Sequence, residues 1–163
     1  MPTRTAATLA LDRLREPRVA VAWLALAVWV GIVWWLGTSG FGSVGTSRYL
    51  VPALRWLLPD LRLFEIYALA AVIRDCMHPT VYGVLAGLAY RAFRVSGVEP
   101  ARRAAVLAGA LSLAVAICDE TRQGVLVART GSLWDVGLDA SGAAVVLAIA
   151  LAVAARRSDR PLP

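Results

Sequence analysis

The chain has 163 residues, 59% of them hydrophobic, and a mean hydropathy of +0.65. Soluble domains are about 45–50% apolar, so the composition argues against an ordinary water-soluble enzyme and for a membrane protein. All 17 basic residues are arginines and the net charge is +6. They recur at the ends of apolar runs instead of forming one basic arm, which excludes a typical nucleic-acid-binding design and reads as a topology signal.

Residues 1–18 carry Arg4, Arg13, Arg15 and Arg18 and read as a cytoplasmic lead-in. Val19–Leu36 follows without a charge. Its 18 residues make roughly 27 Å of helix, enough to cross a bilayer. Trp34 and Trp35 close the run where an interfacial aromatic belt belongs. The run is long for a signal peptide and lacks a small-x-small cleavage site, so it reads as a retained first span.

Gly37–Ser47 is glycine- and serine-rich and reads as a loop. Arg48–Pro59 mixes Tyr, Trp and Leu with two arginines, the pattern of a segment lying on the bilayer surface. Leu61–Ile73 is apolar for only 13 residues, too short to span, and predicts a re-entrant or interfacial piece. His78–Pro79 opens a second span running to about Phe93, with proline in the first helical turn. A loop marked by Gly97 and Pro100 leads to a third span, Ala104–Cys118, and Leu133–Ala155 is the fourth. The prediction is an all-α polytopic bundle of four spans plus one interfacial or re-entrant segment, forming a single domain over 19–155 with a tail over 156–163.

Eleven arginines fall on the lead-in, middle loop and tail, against six on the opposite side. The positive-inside rule therefore puts both termini in the cytoplasm. The second and third spans look short, at about 15 residues each. Their polar ends, His78 and Asp119–Glu120, are then expected below the outer lipid surface, lining a wet outward pocket.

The stretch Cys118–Gly142 concentrates Asp119, Glu120, Arg122, Gln123, Arg129, Ser132, Asp135 and Asp139 between apolar runs. Ionisable groups near lipid are costly unless they face protein or water, so they are candidates for function. Ser132-x-x-Asp135 also fits a capping box, a purely structural role. Asp139 lies one turn beyond Asp135 and needs an arginine, a metal or a proton; Arg129 or Arg74 is the expected partner. Asp119 and Glu120 are adjacent, so one should line the pocket and the other meet solvent or an arginine. His78 is the only histidine, and Tyr82 shares its helical face. Three arginines (Arg74, Arg122, Arg129) face five carboxylates with Asp75 counted, an imbalance a proton or a cation would correct. A divalent metal on His78 and carboxylates is chemically feasible. Without a tight ligand motif, no metal or other cofactor is assigned. Cys76 and Cys118 lie 42 positions apart with no metal-binding spacing and read as small buried hydrophobes.

The block Asp119-Glu120-x-x-Gln123, then Arg129-x-Gly131-Ser132-x-x-Asp135-x-x-x-Asp139-x-x-Gly142, resembles the VanZ-like family of small bacterial membrane proteins. Upstream, Arg74, His78 and Tyr82 match that family's Arg-Lys-x-x-His-x-x-Glu-Tyr pattern, with Asp75 in the Lys position and Val81 in the Glu position. The resemblance covers roughly residues 19–155 and implies a cell-envelope role linked to teicoplanin resistance.

Three functional expectations follow. The first is a binding protein in which Arg74, Arg122 and Arg129 hold the anionic group of a membrane lipid or lipid-linked cell-wall precursor, with a glycopeptide as a further candidate ligand. Its binding residues are Arg74, His78, Tyr82, Asp119, Glu120, Gln123, Arg129, Ser132, Asp135 and Asp139. The second is an intramembrane hydrolase or transferase with His78 and one of Asp119, Glu120 or Asp139 as acid–base groups. The third is a structural or partner-binding protein whose polar cluster locks the helices together.

Overall fold

The computed structural model describes residues 16–125 and 132–158, which form an all-α bundle. Helix α1 is Pro17–Leu36, and a single 3-10 turn, Ser39–Phe41, leads into α2, Ser43–Leu57. Then come α3, Leu63–Val95; α4, Ala101–Gly124; and α5, Leu133–Ser158. The lead-in up to residue 15, the last tail residues and the segment 126–131, with Arg129 and Gly131, lie outside the described residues.

Three helices are long and apolar enough to cross a membrane: α1, α4, and α5 as far as Arg157. Their apolar side chains point largely outward, as at Val21 (59% exposed) and Leu24 (64%) of α1. Helices apolar on their outer faces are stable when that outside is lipid rather than water. α1 starts with Pro17 in its first turn, where the missing N–H would be unpaired anyway.

α3 departs most from expectation. Leu61–Ile73 is not a separate re-entrant piece, because from Leu63 it joins the predicted second span in one 33-residue helix. Pro79 lies inside this helix instead of at its start. Proline removes one backbone hydrogen bond there, but packing from α5 holds the helix together across it. The expected short spans are thus helices of 33 and 24 residues. His78, Asp119 and Glu120 sit within helices, not at their ends. α3 is not among the three membrane-crossing candidates: Glu65, Arg74, Asp75, Arg91 and Arg94 are spread along it, and His78, Pro79 and its tyrosines lower the hydropathy of the stretch between them. It nonetheless contacts every other helix and forms the centre of the bundle.

Small residues make this packing close. Ala86, Ala89 and Ala92 of α3, Ala105, Ala108 and Ala116 of α4, and Ala143 of α5 are all buried in one cluster. Without a strong hydrophobic drive between helices in lipid, such residues let backbones approach and gain dispersion energy. Two tryptophans tie α1 to α3: Trp23 Nε1 donates to Ser96 Oγ and Trp29 Nε1 to the Val81 carbonyl, each at 3.0 Å. Cys76 and Cys118 are free and exposed, not buried as expected, because both lie on outward helix faces. α3 and α5 meet most tightly at Gly142, where a Cβ would run into the backbone of Pro79.

Gly142→Ala is therefore expected to destabilise the bundle by about 1–3 kcal/mol, the usual cost of overpacking. Gly137, on the same helix, has open space where a Cβ would stand. Gly137→Ala should be neutral or stabilising by up to about 1 kcal/mol. Unfolding of the two variants in detergent measures the contrast; equal effects would mean that the Pro79–Gly142 approach is not rigid.

Candidate functional site

A cleft of about 890 Å³ opens between the helices beside this crossing. α1 and α2 contribute an apolar wall, including Val33, Leu36 and Leu50, with Phe41 from the 3-10 turn. Ile73, Met77 and Val81 of α3 extend it. The polar part comes from Arg74, Asp75, His78 and Tyr82 of α3, Asp119 and Gln123 of α4, and Ser132 and Asp135 at the start of α5. The stretch expected to lie on the bilayer surface thus supplies a wall of the site.

Asp119 binds Arg122 (2.6 Å) and accepts from the Gln123 side-chain amide (2.7 Å). Arg122 also donates to the Trp34 carbonyl at 2.9 Å and lies over the Trp34 ring, 4.4 Å from its centroid. That carbonyl is in the last turn of α1, where backbone acceptors lack helical partners, so the arginine caps α1 from α4. Gly37 makes room for this contact, since any Cβ there would collide with the Arg122–Asp119 pair. Arg122 is accordingly committed to Asp119 and α1 and is not part of the cleft lining, contrary to its expected ligand-holding role.

Glu120 turns the other way, as adjacent residues on a helix must. It is 6% exposed, and so does not meet solvent as expected for one of the two acids; among the described residues its partner is the Ser132 N–H, at 2.9 Å, and not an arginine. Ser132 Oγ in turn accepts the Trp134 N–H at 3.1 Å. The predicted cap on α5 exists, but the carboxylate facing the Ser132 N–H belongs to Glu120 of α4, not to Asp135. Asp135 lines the cleft instead.

Asp139 is 1% exposed and lies 3.0 Å from His78 Nδ1. Among the described residues the partner of Asp139 is His78 and not Arg74, because the Pro79–Gly142 approach places His78 and Asp139 on facing turns. Arg74 pairs with its neighbour Asp75 at 3.1 Å, both partly exposed. Arg129 belongs to the segment that is not described. Tyr82 is buried beside His78, as the shared helical face predicted, and its hydroxyl has no hydrogen-bond partner. The roles of Gly37 and of the α1–α2 connection in the site are not readable from the sequence. The glycine-rich GTSGFGS was their only signal, and it also fits any loop.

The arrangement has two chemical capacities. It offers donors and one partly free guanidinium next to an apolar wall, and it holds an imidazole against a buried carboxylate. No family model matches the chain, and no curated protein or solved structure matches it either.

A double-mutant cycle tests the central contact. His78→Ala and Asp139→Ala should couple by about 1.5–3 kcal/mol in unfolding free energy, the range for a hydrogen bond to a charged group. Additivity within about 0.5 kcal/mol would show that the two side chains do not interact in the folded protein.

Proposed function

We propose that this chain is an integral membrane binding protein whose cleft holds a phosphate-bearing amphiphile, either a membrane lipid or a lipid-linked cell-wall precursor. One observation carries the reading: the cleft lining divides into an apolar wall and a polar wall that includes an arginine. A phosphate on Arg74 would gain charge-assisted hydrogen bonds, since its pair with Asp75 is half-exposed and weak and its buried Nε has no partner. His78, Tyr82 and Gln123 would orient the rest of the headgroup, and the acyl or prenyl chain would follow Val33, Leu36 and Leu50. Arg129 is a further candidate from the sequence.

In this reading α3 is a fourth crossing, both termini are cytoplasmic, and the cleft faces the extracytoplasmic side of a bacterial cytoplasmic membrane. The arginine distribution supports that orientation. The VanZ-like pattern supports a cell-envelope ligand and a role in resistance to teicoplanin-type glycopeptides.

A second reading is favoured by the His78–Asp139 contact. A buried carboxylate fixing one imidazole nitrogen leaves the other free to take a proton from water or a hydroxyl. Turnover of the bound amphiphile, lost in Asp139→Asn while binding persists, would select it.

Arg74→Ala should raise the Kd for a fluorescent polyprenyl phosphate in nanodiscs by about tenfold or more. Arg156→Ala, at the end of α5, should leave it unchanged. Equal binding by the wild type and Arg74→Ala would count against the phosphate site. Sidedness is read separately in a variant lacking Cys76 and Cys118. An impermeant thiol reagent on intact cells should label a cysteine at Val125, which is 80% exposed, and not one at Glu99. The reverse pattern would place the cleft on the cytoplasmic side.

A further inference from the structure

Behind the cleft lining, α3, α4 and α5 bring His78, Glu120 and Asp139 together. One ligating atom from each lies within 4.8 Å of the other two. Donors bound to one first-row cation at about 2.0–2.2 Å are at most about 4.4 Å apart, so small side-chain rotations would close the three onto an ion.

Two observations besides the spacing point to a ligand. Asp139 is 1% exposed, yet among the described residues its Oδ2 has no hydrogen-bond partner. Buried carboxylate oxygens are seldom left without a donor, because the lost hydration is not replaced. Among the described residues, moreover, no arginine pairs with Glu120 or Asp139. Arg122 is held by Asp119 and Arg74 by Asp75. Two carboxylates and one imidazole in a dry interior call for positive charge.

The three side chains are also held in place beforehand. The Ser132 N–H holds Glu120, and the α3–α5 crossing sets His78 against Asp139. Hydrogen bonds to a ligand's second atom orient it for a metal in this way.

We infer that His78, Glu120 and Asp139 form a three-ligand site for a divalent first-row cation of the zinc, cobalt or manganese kind. One nitrogen and two oxygens suit such ions. Three protein ligands leave coordination positions for water or a bound oxygen, and His78 borders the cleft from which these would come. This proposal replaces the expectation that no metal is bound. It does not depend on the amphiphile reading, since cation binding needs no lipid.

The test uses tag-free, chelator-stripped protein in detergent, titrated with Co²⁺ and followed by visible absorption and elemental analysis. One cobalt per chain is expected, displaced by Zn²⁺. His78→Gln, Glu120→Gln and Asp139→Asn should each weaken binding by at least about tenfold, whereas Asp60→Asn should not. A readout on the wild type covers variants that fail to fold. His78 is the only histidine, so its modification by diethylpyrocarbonate is unambiguous and should be slowed at least about tenfold by saturating Zn²⁺. Cobalt binding that is absent, or equal in wild type and folded ligand variants, would overturn the site. So would unprotected His78, and the carboxylates would then be neutralised by protons.

Discussion

The close approach of α3 and α5 at Pro79 and Gly142 is the constraint on which the rest depends. A glycine opposite a backbone carbonyl lets two helices touch where any side chain would separate them. His78 is the residue before Pro79, and Asp139 lies one turn before Gly142. Wider helix spacing would break their contact and move Glu120 away from both. The same proximity lets Glu120 reach across from α4 to the first turn of α5. Packing of small residues thus sets the electrostatics of the site.

A membrane bundle cannot place so many ionisable groups at random. The large apolar side chains of α1, α4 and α5 face mostly outward, while Asp119, Glu120, Gln123 and Asp139 are buried against other helices. Of these four, only Asp139 keeps a buried oxygen without a hydrogen-bond partner among the described residues; elsewhere the buried Tyr82 hydroxyl and the Nε atoms of Arg74 and Arg122 also lack one. Asp119 has Arg122 and Gln123; Glu120 has a backbone N–H. Asp139 is satisfied on one oxygen only among the described residues. The cluster therefore separates into a structural part, which fastens α1 to α4, and a part that still requires a partner.

The cleft owes its two-sided chemistry to the connection after α1. A glycine at position 37 allows the chain to turn against the Arg122–Asp119 pair, and the following residues bring α2 over α3. Apolar side chains from α1, α2 and the turn between them then face the polar side of α3. On the proposed reading, an amphiphile would meet matching surfaces there.

Much of this was legible along the chain. An uncharged run such as Val19–Leu36 has few options besides a bilayer, so the membrane class and the helices α1 and α5 follow from composition and length. The polar block from Asp119 to Asp139 stood out because charge beside lipid is costly. The pairing of His78 and Tyr82 on one face follows from helical periodicity. What the sequence could not determine is partner choice. Among the described residues, Asp139 takes His78 rather than Arg74, Arg122 caps α1 rather than lining the cleft, and Glu120 rather than Asp135 meets the Ser132 N–H. The unbroken course of α3 through Pro79 is of the same kind. Each outcome depends on which surfaces helices present to one another, a matter of crossing geometry among residues up to 88 positions apart. Local sequence determines that a helix exists and which groups it carries; only the tertiary packing decides which of those groups meet.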